Sequence, residues 1–99
     1  MIVTEGIVAR RYVVTGRVQG VGYRNFVEHL AGKINIQGYV RNRHDGSVEV
    51  LGMGTPEELQ KLRRGLERGP TMSRVSGVSE EPSAVEPRYL GDFTIEFTE

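Results

Sequence analysis

A chain of 99 residues, 37% hydrophobic and 26% charged, is large enough for one buried core and too small for two, which excludes a disordered segment and a multidomain protein. It has no cysteine, so disulfides, zinc-thiolate centres and cysteine nucleophiles are excluded together, and no apolar run approaches the length of a membrane span. Net charge is zero but unevenly spread: residues 1–45 carry seven Lys or Arg and three Asp or Glu, residues 46–99 six and ten, a swing from +4 to −4 that suits a local anion site better than a general nucleic-acid surface.

Met1 to Gly6 lacks a basic n-region and an apolar h-region, so no secretory leader is expected and the cytoplasm is the default location. Ile7 to Thr15, with Tyr12, Val13 and Val14, is predicted as the first strand. Gly16 to Arg24 follows, reading Gly-Arg-Val-Gln-Gly-Val-Gly-Tyr-Arg. Tyr23, Phe26, Val27, Leu30, Ala31 and Ile34 then recur at the spacing of one helical stripe and are expected in the core. Gly38 opens a second strand through Arg43. His44-Asp45-Gly46 is a hairpin turn, and Ser47 to Leu51 returns as the third strand.

Thr55-Pro56-Glu57-Glu58 carries a cap, a proline for the first helical position and the acid of a capping box. Leu59, Leu62 and Leu66 give this second helix its buried stripe, and Gly69-Pro70 ends it. Arg74 to Glu80 is predicted as a fourth strand, with a bulge implied by the broken alternation between Val75 and Val78. Glu81 to Gly91 is expected as a polar loop, and Phe93, Ile95 and Phe97 alternate as a last strand. The order is βαββαβ, which predicts an α+β, ferredoxin-like sandwich with both helices on one face of a mainly antiparallel sheet, in a single domain spanning residues 1–99.

The glycine-rich segment is the chemically informative one. Glycines at 16, 20 and 22 between a strand and a helix let backbone N–H groups converge, and the helix adds its own unpaired N–H groups and positive end. Arg24 supplies a planar fork of donors suited to phosphate oxygens. No Gly-Lys-Ser/Thr follows, so this is not a Walker loop, and Asn25 occupies the third glycine position of a dinucleotide fingerprint. A tight connection that uses glycine only to turn accounts for the glycines, but not for Arg24 or Gln19.

Two segments together resemble the acylphosphatase family. The first is Gly16 to Arg24. The second is Gly38-Tyr39-Val40-Arg41-Asn42 with Gly46-Ser47-Val48 and Gly54. They cover about the first half of the chain, and the remainder is similar only in its outline of helix, strand and strand. The resemblance implies a hydrolase that cleaves the carboxyl–phosphate bond of small acyl phosphates to carboxylate and inorganic phosphate, without metal or cofactor, as a monomer in the cytoplasm with no nucleic-acid or membrane partner. It implies that Arg24 holds the phosphoryl oxygens together with main-chain N–H groups of Gln19, Gly20, Val21, Gly22 and Tyr23. It further implies that Asn42 orients the attacking water, as a neutral amide that both donates and accepts.

The residues agree with direct attack by water. Asp45 and Asp92 do not form a phosphatase-like Asp-x-Asp, and His29 and His44 lie at positions expected to be solvated. An acyl phosphate is already activated, so positioning and charge neutralisation suffice. Arg17, Arg41 and Arg43 are expected to be solvated, and Gln19 to touch the loop's own backbone. The last strand departs from the family in carrying Glu96 where a basic residue is common. Two alternatives stay open: a non-catalytic phosphate- or carbamoyl-phosphate-binding domain of the same fold, and an RNA-binding module, for which Tyr12 alone is a poor stacking platform.

Overall fold

Residues 6–99 are described by the computed structural model, in which β1 (Val8–Arg17), α1 (Tyr23–Lys33), β2 (Gln37–Asn42), β3 (Val48–Gly54), α2 (Pro56–Arg68), β4 (Arg74–Ser83) and β5 (Phe93–Ile95) follow the expected order. The expectation of no leader falls largely on residues 1–5, outside the described residues. The sheet order is β4-β1-β3-β2-β5. Every neighbouring pair is antiparallel except β2 and β5, which run parallel with Val40 beside Ile95. This is the two-helix, ferredoxin-like sandwich that the element order implied.

Period-two alternation sends Tyr12, Val14, Val40, Val48 and Val50 to the face that receives the helices, where they meet Val27, Leu62 and Leu66. All of these are fully buried, and each apolar side chain contributes on the order of 1.5–3 kcal/mol relative to exposure. Burial pushes the Tyr12 phenol up to about 12, with Glu80 adding to the effect, so it stays neutral at ordinary pH. Tyr12 therefore faces the helices and offers no open stacking surface. Along α1, Tyr23, Val27 and Ala31 are buried while Phe26 and Leu30 are only partly so. The helix ends at Lys33, and Ile34 is its C-cap rather than its last turn.

The start of α2 follows the capping box. The Glu58 N–H donates to Thr55 Oγ1 at 3.2 Å and the Thr55 N–H to Glu58 Oε1 at 2.9 Å. The expected bulge is in β4: Thr15 faces Gly77 and Gly16 faces Val75, leaving Ser76 as the extra residue.

Three differences from the expected layout have physical causes. First, β4 runs on to Ser83, because Glu80, Glu81 and Pro82 pair with β1 from β4, an edge strand of the sheet, where charge and proline are tolerated. Arg10 and Arg11 lie within 3.6 and 3.5 Å of Glu80 and Glu81. Second, the segment after Ser83 is not merely a polar loop. It holds a short 3-10 turn, Pro87–Tyr89, whose Tyr89 is buried against Tyr39 with ring centroids 5.0 Å apart. Tyr89 joins Ala9, Leu51 and Met53 in a second apolar cluster on the face opposite the helices. Third, β5 stops at Ile95. The Glu96 N–H reaches the Val40 carbonyl, but the next bond to β2 comes from Glu99 to Asn42, one residue late for a regular ladder. Alternation breaks there, and Phe97 is 95% exposed.

Candidate active site

Gly22 is the N-cap of α1, with φ of 80° and no capping side chain, and no acidic residue occupies the first turn. Gly20 has φ of 73°. An L-residue in this left-handed region costs roughly 1–2 kcal/mol, which explains glycine at both places. A Cβ added at either would meet nothing within 4 Å, so conformation rather than space is the constraint. Among the described residues, no backbone N–H from Gln19 to Asn25 donates to a backbone carbonyl or to a side chain. The loop and the first turn of α1 thus present a continuous run of unused donors at the positive end of a helix.

These donors border a cavity of about 290 Å³ lined by Val18, Gly20, Gly22, Tyr23, Arg24, Asn25, Asn42 and Ile95. Arg24 sits one residue into α1 and is half-buried; it makes no ion pair among the described residues. Asn42 ends β2, and its Oδ1 is buried without a hydrogen-bond partner in the protein. An orphaned buried acceptor is costly and calls for a ligand or water at that point. Tyr23 is anchored away from the cavity: its hydroxyl donates to the Leu66 carbonyl at 2.7 Å, and burial pushes its pKa strongly up, keeping it neutral.

Every residue singled out from the sequence therefore lies at or beside one cavity. Gly20, Gly22, Tyr23, Arg24 and Asn42 line it, while Gln19 and Val21 belong to the same loop and do not line it. Val18, Asn25 and Ile95 line it as well and escaped the sequence reading. Asn25 was legible as the neighbour of Arg24. Ile95 was not, because only the parallel pairing of β5 with β2 brings it there.

Two expectations are corrected. The Gln19 side chain does not touch its own loop: its Nε2 donates to the Arg43 carbonyl at 2.8 Å and the Ser47 carbonyl at 2.9 Å, across to the β2–β3 hairpin. Arg41 is not solvated. Its Nη2 lies 2.9 Å from Glu49 Oε2 and 3.2 Å from Glu99 Oε1, with its guanidinium over the Tyr39 ring. Glu49 is 5% exposed and also accepts from the Tyr39 hydroxyl, because a buried carboxylate must be paired. Desolvation lowers the Arg41 pKa, but Glu49, Tyr39 and Glu99 together outweigh it and the net shift is upward. Glu96 belongs to this opposite face too: Thr94 Oγ1 donates to it at 2.6 Å and Arg88 lies 4.0 Å away, so it takes no part in the cavity. Among the described residues, no three His, Asp or Glu side chains converge as metal ligands, and no helix is long and apolar enough to cross a membrane.

A glycine cradle on a helix N-terminus, closed by an arginine and faced by an unpartnered amide, defines a small α+β protein that binds an oxyanion. The family model for acylphosphatase matches residues 10–95. The chain is 52% identical over 95 residues to an acylphosphatase of Koribacter versatilis, covering 96% of this chain and 86% of that protein. It superposes on the crystal structure of acylphosphatase from Bacillus subtilis with a TM-score of 0.84 at 37% identity, covering 90% of this chain and 98% of that one. An acylphosphatase structure from Coxiella burnetii gives a TM-score of 0.86 at 30% identity, covering 93% and 95%. The chain belongs to the acylphosphatase family.

Proposed function

We propose that this enzyme hydrolyses small acyl phosphates by direct attack of a water held in the cavity beside Asn42. One observation carries the mechanism: Gly20, Gly22 and Tyr23, whose N–H groups are unused, line one cavity together with Arg24 and Asn42. The N–H groups and the Arg24 fork take the phosphoryl oxygens and neutralise their charge. The Asn42 side-chain amide holds the water and turns its lone pair toward phosphorus. The bond from phosphorus to the acyl oxygen breaks, the bond to the water oxygen forms, and both protons of water leave on inorganic phosphate. The departing carboxylate is weakly basic, so no general acid is required of the protein.

We read the chain as one domain acting as a cytoplasmic monomer on free small molecules. The scatter of exposed large apolar side chains over β1, the α2–β4 turn and the end of β5 supports the monomer. The test is phosphate release from benzoyl phosphate in excess chelator. Turnover is expected. Saturable phosphate binding without turnover, or turnover that vanishes on chelation and returns with added Mg²⁺, would sink the mechanism.

A further inference from the structure

A second groove of about 430 Å³ opens beside the cradle, lined by Gly22, Asn25, Phe26, His29, Leu30, Lys33 and Arg68. It shares Gly22 and Asn25 with the phosphoryl cavity, so the two are continuous around the N-terminus of α1. The C-terminus of α2 packs against that N-terminus through the Tyr23–Leu66 hydrogen bond, which sets Arg68 near the first turns of α1. The floor of the groove is apolar, formed by the half-buried Phe26 and Leu30. Its rim is cationic. Lys33 and Arg68 stand on it and make no ion pair among the described residues. Glu67, beside Arg68, is engaged by Arg63 at 3.4 Å, and no acidic side chain lines the groove.

The direction of the chemistry points the same way. Phosphoryl transfer places the entering and leaving oxygens roughly in line. With water held at Asn42 on β2, the acyl oxygen departs on the opposite side. Helix α1 lies over β2 and β5 and α2 over β4, β1 and β3, and the groove, lined by α1 residues and Arg68, opens on the α2 side of α1. Gly22 and Asn25 line both spaces and give a departing acyl group a passage from the cavity into the groove. Lys33 lies roughly 12 Å along the helix from Asn25, and a helical side chain leans back toward the N-terminus.

We infer that this groove is the acyl-group subsite, and that it favours acyl phosphates whose apolar chain ends in a second oxyanion a few carbons away, a carboxylate or a phosphonate held between Lys33 and Arg68. The inference rests on the acyl-phosphate reading of the cavity. Two exposed charge pairs are worth a few tenths to 1 kcal/mol each, so the preference of glutaryl phosphate over butyryl phosphate in kcat/KM is about fivefold, carried by KM and erased by salt. A 4-phosphonobutanoyl phosphate tests whether the groove prefers the more highly charged end.

The decisive comparison sets the wild type against Lys33→Glu/Arg68→Glu with butyryl and glutaryl phosphates at low ionic strength. The double variant is expected to invert the ratio of the two kcat/KM values. Lys33→Gln/Arg68→Gln is expected to abolish the preference without inverting it, and decides the matter if the charge-reversed protein does not fold. Equal kcat/KM for both substrates in the wild type, or a preference that survives the substitutions, overturns the subsite while leaving the activity intact. Failure to hydrolyse butyryl phosphate at all overturns the activity reading, and the subsite with it.

Discussion

Gln19 donates from its Nε2 to the carbonyl of Arg43, the residue that follows Asn42, at 2.8 Å, with a second bond to the Ser47 carbonyl at 2.9 Å. One side chain thus ties the glycine-rich loop to the hairpin that carries Asn42. Gln19→Ala is expected to unfasten the two, costing about 1–3 kcal/mol of stability for two lost hydrogen bonds, since the Arg43 and Ser47 carbonyls keep the N–H donors of Gly46 and Arg43, and lowering kcat more than it raises KM. Gln19→Glu should be worse than alanine, since a carboxylate faces two carbonyl oxygens. Unfolding midpoints with paired kcat and KM values check this. A Gln19→Glu enzyme with wild-type kcat would show that the two loops hold their places independently.

Arg24 and Asn42 should separate binding from turnover. Arg24→Ala is expected to lose both phosphate affinity and rate, by about 10³-fold or more, and lysine should rescue poorly because a point charge cannot reproduce a bidentate fork. Asn42→Ala should bind inorganic phosphate nearly normally and lose about 10²–10³ in kcat, the scale of one positioned hydrogen-bonding group. Calorimetric phosphate titration beside steady-state kinetics reads the division. Equal loss of phosphate affinity in the two variants contradicts it.

At Gly20 the open surroundings isolate the conformational term. Gly20→Ala should cost roughly 1–2 kcal/mol wherever φ must remain positive, and Gly20→Val more, because β-branching disfavours that region further. Phosphate affinity should fall out of proportion to the unfolding midpoint, since the loop adds little to the core. Normal phosphate binding by Gly20→Val would reduce Gly20 to a convenient turn residue.

On the opposite face, Arg41→Met strands the buried Glu49 carboxylate with Tyr39 as its remaining partner. Removing one member of a buried pair typically costs about 3–5 kcal/mol, and the Tyr39 bond places this case at the low end. The melting temperature should drop by several degrees while phosphate affinity holds, since Arg41 points away from the cavity. Arg41→Met/Glu49→Leu should recover much of the loss. A double variant as unstable as the single one would show that the cost lies elsewhere.

The hairpin turn sets a pH signature. The Ser47 Oγ and N–H both donate to Asp45 Oδ1, at 2.5 and 2.9 Å, and hold this exposed carboxyl below the usual Asp range. A depressed folded-state pKa stabilises the protein above the unfolded value, and that contribution is lost as pH falls through the folded one. Ser47→Ala should move the Asp45 titration upward in carboxyl-detected NMR. An unchanged titration would assign the depression to the backbone donor alone.

Local rules located most of this protein. The stripe of Tyr23, Val27 and Ala31, the Thr55–Glu58 capping box, the Asp45-Gly46 turn and the Ser76 bulge are each set by residues within a few positions of one another, and all were legible. The polar edge of β4 and the buried Tyr89 were not. Their character comes from what they pair with: β1 for Glu80 and Glu81, and Tyr39 for Tyr89.

The same division runs through the active site. The cradle was legible in the chain, because positive φ at Gly20 and Gly22, the helix start and Arg24 are contiguous and need no distant partner. Only the tertiary structure decided that Ile95 closes the cavity, that Gln19 fastens the hairpin, that Arg41 is consumed by Glu49 and Glu99, and that Lys33 and Arg68 flank one groove. Each of these depends on a contact between segments far apart in the chain, and a side chain's spacing says which face it takes but not what stands across from it.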